Sequence, residues 1–486
     1  MNLKNQKKEK EKKVKKVDII KALKSGDIKT LIASLLYFDT GFMVWLLFGP
    51  ALGLFIAQEL GLSPAEKGFM VAVPILAAAL FRIPFGYMYQ AIDGKYIALA
   101  GILLSALPIL YVNLFPIDYT TLLVLGAFLG IGGASFAIAL PMAGSNYPKQ
   151  YQGLVLGLAA AGNLGAMMDG MVFPPLAEMY GWRKAALVAL LFLAISFILC
   201  WKWIKDSSPK KPELKIKSIL NFVITFVSFI VVTLLLYSGV IGISGKFGLL
   251  LLPIIVWIIS IALLSSDYRN ALKKKDPWVF MLFYALTFGG FVGMSGSVAF
   301  IINSQYGFDP VLAGLTMALL SFTGALIRPI GGWISDIIGG VRVLLAVFLT
   351  IAFCDLVLGI FIPPAIIGIP LLWLLFAAFG LGNGAVFQLV PLRWPRATGM
   401  ATGLIGAAGG IGGFYLSSTM GLAKELTGSY GPGYIIFGIL ALLAFGILYL
   451  LRNEYMEWGF VKHHEEEIFE SNKLDTNVVL QYQSKR

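Results

Sequence analysis

Long apolar stretches alternate with short polar loops along almost the whole chain. Each stretch is roughly 18 to 25 residues long, the length that an α-helix needs to cross the hydrocarbon core of a membrane. The apolar positions recur with helical periodicity and lack the strict alternation of barrel strands. The pattern predicts fourteen membrane-spanning helices, at 31–57, 66–90, 96–114, 120–144, 152–178, 183–204, 218–240, 247–265, 278–303, 311–335, 341–362, 369–391, 399–421 and 432–451.

The composition agrees with an all-α polytopic membrane protein. Of the 486 residues, 58% are hydrophobic and only 13% are charged, and the mean hydropathy is +0.82. These values exclude a soluble globular domain. The chain contains no catalytic triad and no nucleotide-binding fingerprint, so an enzyme is not expected.

The positive charges lie in alternate loops. The formal net charge is +12, and lysine-rich stretches occupy the N-terminal tail and the loops near 205–217 and 270–275, with Arg393 and Arg396 in a later loop. The positive-inside rule therefore predicts a cell-membrane protein with both termini in the cytoplasm. The lysine-rich tail is suited to contact anionic lipid headgroups. This distribution makes a nucleic-acid partner unnecessary to explain the charge.

The thiols and imidazoles give no sign of a metal site, a disulfide or a cofactor. Cys200 and Cys354 each stand alone in an apolar run, and His463 and His464 are adjacent in the polar C-terminal tail. We predict inert core thiols and a solvated histidine pair.

Two arginines stand inside long apolar runs, 246 positions apart. Arg82 lies in AALFRIPFGYMYQAIDG and Arg328 in GALIRPIGGWISDIIGG. A charged side chain at such depth costs about 2.5 to 3.5 kcal/mol on insertion scales, and a guanidinium cannot be neutralised by deprotonation. We predict that the two arginines bind one small permeating anion.

The same spacing recurs in other pairs, which indicates an internal repeat. The pairs that are also 246 positions apart are Gly86 and Gly332, Gly153 and Gly399, and Gly157 and Gly403. The repeat predicts a tail at 1–30, a six-helix half at 31–204, a linker with two extra helices at 205–277, a second six-helix half at 278–452 and a tail at 453–486. Two such halves are expected to hold substrate between them near the membrane midplane.

The first predicted helix carries an acid, Asp39, within LYFDTGFMVW. Acids in membrane segments are rare and commonly functional. Asp39 is either a proton carrier or arginine partner, or else an acid at a helix end that faces water. The sequence leaves both readings open.

One loop resembles the cytoplasmic signature of the major facilitator superfamily. Gly332, Asp336 and Gly339 have the spacing G-x-x-x-D-x-x-G. The first-half copy has Gln90 where the acid belongs, and Ile337 replaces the usual arginine of the second copy. The resemblance implies the two-half facilitator fold, to which this chain adds an inserted two-helix hairpin.

Four further stretches, FRIPFG, GLAAAGNLGAMM, IRPIGGWISD and GLIGAAGGIGGFYL, resemble the nitrate/nitrite porter family of that superfamily. The resemblance implies that Arg82 and Arg328 clamp the anion, with Asn163 of the fifth-helix signature as a further donor. Aromatic walls are expected from Tyr284 and Phe288, which share a helix face, and from Phe136. The implied signature glycines are Gly157, Gly162, Gly165, Gly406, Gly409 and Gly412.

The resemblance implies transport of nitrate and nitrite without a cofactor, by exchange or by proton symport. A monomer is expected. The alternatives are a porter of another small anion such as formate or oxalate, a fourteen-helix drug exporter, and an anion sensor without turnover. Buried arginines argue against the exporter, and the short C-terminal tail argues against the sensor.

Overall fold

The fold is all-helical in the residues that the structure, a computed structural model, describes: 23–148, 155, 164–240, 245–263, 266–394 and 398–483. A π-helical turn at Leu47–Ala51 and a 3₁₀ turn at Pro212–Leu214 accompany the α-helices. The α-helices of the first part are α1 Ile28–Leu46, α2 Gly53–Leu60, α3 Pro64–Ala91, α4 Gly94–Leu114, α5 Tyr119–Ala134, α6 Phe136–Ser145, α7 Leu164–Tyr180 and α8 Trp182–Trp203. Those of the second part are α9 Lys215–Tyr237, α10 Gly245–Leu249, α11 Leu252–Leu263, α12 Ser266–Ala271, α13 Lys275–Tyr306, α14 Pro310–Ile338, α15 Gly340–Phe361, α16 Ala365–Arg393, α17 Thr398–Thr427 and α18 Gly431–Gln483.

Twelve spans within the described residues are long and apolar enough to cross a membrane. The prediction of an all-helical, multi-pass membrane protein is therefore confirmed. The two other predicted segments fall on α7 and α17, whose N-terminal ends adjoin residues outside the described part. The predicted segment 120–144 forms one span from two helices, α5 and α6, separated by Ser135, and α18 continues well beyond the predicted end at 451.

The predicted halves meet along two symmetry-related helix pairs. The helix of Arg82, α3, packs along α17, and the helix of Arg328, α14, packs along α7. Because α3 corresponds to α14 in the repeat, and α7 to α17, each pair joins one helix from each half. Any relative motion of the halves must therefore change these two contacts.

Glycines allow the seam to close tightly on the side opposite the lysine-rich loops. A Cβ on Gly68 would lie 2.7 Å from the Ser417 carbonyl oxygen, and one on Gly170 would lie 2.2 Å from the Gly314 carbonyl oxygen. Contacts this close exclude any side chain, and such small-residue packing replaces the hydrophobic drive that is missing in lipid. The outer ends of both helix pairs are therefore in backbone contact.

On the lysine-rich side, the described residues pack less closely along the seam. A Cβ built on Gly86 of α3 or on Gly406 of α17 would meet no described atom within 4 Å, and one on Gly332 of α14 would meet only a single described atom, at 3.9 Å. Gly86 and Gly332 lie one helical turn beyond Arg82 and Arg328, on the same helix faces. On this side of the two arginines, the described part of the chain therefore leaves space beside the helices.

A polar cluster, which we call the outer clasp, joins the two halves and the extra helices on the closed side. Lys246 of α10 donates to Ser63 Oγ at 2.7 Å and pairs with Glu425 of α17 at 2.9 Å. The second Glu425 oxygen accepts from the Ala65 N–H at 2.9 Å, where an anion is favoured by the N-terminus of α3. The Glu425 carboxylate, in the second half, thus contacts both the first half and the extra helices.

A second cluster, the linker clasp of Asp206 and Lys210, lies against the first-half copy of the signature loop, in which Gln90 replaces the acid. The Asp206 carboxylate, beyond α8, accepts from the Gly94 N–H at 2.8 Å and from the Tyr89 hydroxyl at 3.1 Å, and it pairs with Lys210 at 2.7 Å. Burial opposes ionisation of this carboxyl, but hydrogen bonds from Lys210, Ser208 and Gly94 lower its pKa. Asp206 therefore supplies, from the linker, a carboxylate that Gln90 does not.

Candidate functional site

Arg82 is buried between the two halves, with 8% of its surface exposed. Its Nη1 donates to the Gly406 carbonyl oxygen of the second half and its Nη2 to the Gly133 carbonyl oxygen of the first, both at 3.4 Å. These distances lie beyond the usual range for N–H···O bonds. Its Nε has no hydrogen-bond partner among the described residues. The guanidinium therefore retains donor capacity for a ligand.

Arg328 lies half-buried on the other side of the same site. Its Nη2 is 3.5 Å from the Tyr284 hydroxyl oxygen, and its Cζ is 5.8 Å from the centre of the Phe387 ring. These contacts, too, are long, and most of its five N–H donors have no partner among the described residues and can bind an anion. Phe387 was missed by the sequence reasoning, because one phenylalanine among 35 carries no distinguishing pattern.

Phe288 brings the two arginines together. Its ring centre is 5.4 Å from Arg82 Cζ and 5.9 Å from Arg328 Cζ. Phe136 lies 5.3 Å from Arg82 Cζ. Such distances are typical of cation–π contacts. The structure thus places both predicted arginines and all three predicted aromatic residues, Tyr284 among them, in one cluster.

Tyr284 and Phe288 form what we call the aromatic stack. Their ring centres are 5.0 Å apart and their planes differ by 2°. A Cβ on Gly409 of α17 would lie 2.8 Å from a ring carbon of each. Glycine at this position therefore lets the aromatic stack pack directly on α17.

The other signature glycines have different surroundings. Gly412 approaches the backbone of α13 so closely that a Cβ would lie 2.2 Å from the Ala285 carbonyl oxygen, whereas Gly406 borders open space and offers its carbonyl to Arg82. Gly165 packs against α1, where its N–H donates to Asp39 Oδ1 at 2.6 Å. Asn163, Gly157 and Gly162 lie outside the described residues.

Asp39 is half-buried on α1 and makes no ion pair with any described residue. Its carboxylate instead accepts a hydrogen bond from the Gly165 N–H of α7. A second acid of that helix, Asp169, is fully buried and was missed by the sequence reasoning. Its presence in an apolar, glycine-rich segment was a usable signal, since ionisable residues at membrane depth are functional by default.

In the described part of the chain, no three histidine, cysteine, aspartate or glutamate side chains are grouped so that they could hold a metal ion. Cys200 and Cys354 are both buried as free thiols. The site is thus a cationic and aromatic one, suited to bind an anion.

Comparison with known proteins identifies the family. A family model described as Major Facilitator Superfamily matches residues 33–415. The chain belongs to this superfamily. A POT family transporter, solved in complex with 5-aminolevulinic acid, has the same fold. The TM-score is 0.64 at 16% identity, and the match covers 88% of this chain and 96% of that one.

Several curated relatives within the superfamily are similar over most of their length. The "Nitrite extrusion protein" of Bacillus subtilis is 28% identical over 83% of this chain and 89% of its own. The "Probable nitrate transporter NarT" of Staphylococcus haemolyticus is 27% identical over 85% and 94%. The "Probable nitrate/nitrite transporter NarK2" of Mycobacterium tuberculosis is 27% identical over 83% and 91%. The predicted resemblance to nitrate/nitrite porters is confirmed, and this facilitator is a transport protein rather than an enzyme.

Proposed function

We propose that this facilitator carries nitrate and nitrite across the cell membrane, exchanging one anion for the other. One observation carries the proposal: Arg82 from the first half and Arg328 from the second contact the same ring, that of Phe288. The names of the curated relatives support the choice of anion.

The chemistry of nitrate fits this cluster. Nitrate is planar and weakly hydrated, and it is such a weak base that it cannot be captured by sharing a proton. Guanidinium groups match planar oxyanions with paired N–H donors and keep their charge in a dry site. The positive edges of Phe136 and Phe288 can flank the plane of the anion. The Tyr284 hydroxyl is a neutral donor in the cluster, and the family resemblance implies a second one in Asn163.

The two arginines also explain why exchange is favoured. Without an anion, the buried Arg82 and the half-buried Arg328 repel each other, and this repulsion strengthens and opposes closure as the halves exclude water from the site. A bound anion removes that cost. The carrier therefore reorients readily only when loaded, and the halves rock about the α3–α17 and α7–α14 contacts.

We extend the proposal to the architecture. The chain crosses the membrane fourteen times, with α9 to α11 forming a hairpin inserted between two six-helix halves. Both termini and the lysine-rich loops lie in the cytoplasm, and the outer clasp holds the halves together on the opposite side. One monomer contains the whole site.

A nitrate–proton symporter is the second candidate, and Asp39 is the observation that favours it. Its half-buried carboxylate accepts from the Gly165 N–H of α7 and makes no ion pair with any described residue. A porter of formate or oxalate would need similar arginines. Competition by these anions for nitrate transport separates that possibility from the main proposal.

The proposal is tested with purified protein in liposomes preloaded with nitrite, nitrate or neither. External nitrate uptake is followed with and without a proton gradient. We expect uptake that needs an internal anion and is lost in Arg82→Gln and Arg328→Gln. Proton-driven uptake into unloaded vesicles would favour symport, and no nitrate flux under any condition would refute the proposal.

A further inference from the structure

Asn383 is a buried polar residue on α16, one helical turn before Phe387, whose ring contacts Arg328. Only 2% of its surface is exposed, and its amide oxygen Oδ1 accepts no hydrogen bond from any described residue. A buried acceptor without a donor costs free energy. This cost would be removed by a donor that reaches the amide oxygen in another state of the carrier.

The direction of the Asn383 side chain follows from the contacts of its two neighbours in the chain. A Cβ on Gly382 would collide with the Thr287 methyl carbon of α13, and one on Gly384 would collide with the Arg328 carbonyl oxygen of α14. Successive residues of an α-helix are about 100° apart around its axis. Asn383 therefore lies on the face between these two contacts, and its side chain points into the wedge between α13 and α14.

The residues one turn on either side of Asn383 support this direction. Phe387, four residues later, packs edge-on against Tyr284 of α13 with ring centres 4.8 Å apart. Phe379, four residues earlier, also packs on α13, because a Cβ on Gly290 would collide with its ring. Residues four apart share a helix face, so that the Asn383 amide lies behind the aromatic stack.

The internal repeat gives Asn383 a counterpart that contacts an arginine. The helices α5 and α16 correspond at an offset of 250 positions, as Gly132 and Gly382 illustrate. Asn383 therefore corresponds to Gly133. In the first half, the Gly133 carbonyl oxygen accepts from Arg82 Nη2 at 3.4 Å. In the second half, the same place on α16 presents an amide oxygen on the side of the second arginine.

Arg328 has donors available for this oxygen. Its hydrogen bond among the described residues is a long one, at 3.5 Å from the Tyr284 hydroxyl oxygen, and a guanidinium carries five N–H donors. A planar anion takes two of them in a paired contact and leaves the others for the protein. An amide oxygen can orient the guanidinium without cancelling its charge, whereas a carboxylate would compete with the anion.

We propose that Asn383 is a positioning residue for the anion site, whose amide oxygen accepts from the Arg328 guanidinium when an anion is bound. The anion draws the guanidinium into the wedge, and Asn383 fixes its plane for paired donation. Because this hydrogen bond forms only in the loaded state, it stabilises that state relative to the empty one. The inference rests on the proposed anion transport and deepens it, since it names the group that orients one of the two arginines.

The experiment measures the nitrate Kd by isothermal titration of the purified full-length protein. The variants are Asn383→Ala and Asn383→Leu, since leucine is close to asparagine in size but lacks the acceptor. Each is made alone, in an Arg328→Lys background and in an Arg82→Lys background. The matched control is Asn113→Ala on α4, whose amide donates to the Ile109 carbonyl oxygen of its own helix at 2.9 Å. Thermal unfolding and size-exclusion elution check the fold of each.

Both Asn383 variants should bind nitrate about tenfold more weakly, as expected for one lost hydrogen bond to a charged group, while Asn113→Ala should bind like wild type. In the Arg328→Lys background, which already lacks the guanidinium, the same substitutions should weaken binding less than about threefold. In the Arg82→Lys background they should keep their full effect. A packing role would not produce this selective coupling, and it would allow leucine to replace asparagine.

Wild-type affinity in a folded Asn383→Leu, or equal effects in the two lysine backgrounds, would overturn the inference. A nitrate-loaded structure of the wild type tests it without any variant. In that structure Asn383 Oδ1 should lie within about 3.2 Å of an Arg328 nitrogen, and a separation beyond hydrogen-bonding range would overturn the inference as well. Absence of nitrate binding and nitrate exchange in wild type would instead refute the proposed function.

Discussion

Replacement of Arg82 by lysine keeps the charge of the site and removes the guanidinium fork. Among the described residues, the hydrogen bonds of Arg82 are two long ones, both at 3.4 Å, to backbone carbonyls, so that the protein itself depends little on the fork. A bound nitrate, in contrast, receives two charge-assisted hydrogen bonds from it. Lysine, a point charge, aligns one of them, and the lost bond is worth about 1.5 to 3 kcal/mol.

This free energy corresponds to a roughly 10- to 150-fold weaker nitrate Kd for Arg82→Lys. The assay is isothermal titration of purified protein with nitrate in an anion-exchanged buffer, with thermal unfolding as the check of the fold. The matched control is Arg183→Lys, an outer arginine paired with Glu59, for which the nitrate Kd should not change. Arg82→Lys binding within twofold of wild type would refute the role of the fork.

The other clusters give three further predictions. Gly409→Ala should abolish nitrate exchange while leaving the protein folded, because the added Cβ would lie 2.8 Å from the aromatic stack. The control variant Gly446→Ala, whose Cβ would meet no described atom within 4 Å, should exchange nitrate normally. Lys246→Met should weaken the outer clasp by about 1 kcal/mol, so that a cysteine introduced into the outer seam becomes more reactive. Glu425→Lys combined with Lys246→Glu should restore closure only in part, since lysine at 425 cannot accept the hydrogen bond from the α3 N-terminus. Full restoration would contradict this account. Asp206→Asn should lower the melting temperature at pH 7. Because the pKa of Asp206 is lowered in the folded state, its contribution to stability is complete above the unfolded pKa of about 3.9 and is lost as pH falls from there through the lower folded pKa. An equal loss at pH 3 and pH 7 would contradict the assignment.

The clustering of the candidate anion-binding residues was largely predictable from the sequence. Arg82 and Arg328 were conspicuous because charge is expensive in lipid, and their equal spacing in the repeat indicated that one site joins them. Tyr284, Phe288 and Phe136 were expected through the family resemblance, and the spacing of four places the first two on one helix face. The structure brings these residues together with the two arginines.

Contacts between segments distant in the chain could not be predicted. The outer clasp joins Lys246 to Glu425, 179 positions apart, and nothing in the local pattern of either residue indicates the other. The linker clasp is similar, since Asp206 compensates for Gln90 only because the chain folds back onto α4. Asp169 differs from these cases, because its polarity within an apolar segment was visible in the sequence, whereas its complete burial was not.

The central claim is that two arginines, one from each half, bind a single anion. The most direct test is the stoichiometry of nitrate binding by isothermal titration for wild type, Arg82→Gln and Arg328→Gln, each shown to be folded by thermal unfolding. We expect one nitrate per wild-type chain and no detectable binding by either variant. Two nitrates per chain, or wild-type affinity in either variant, would contradict the account.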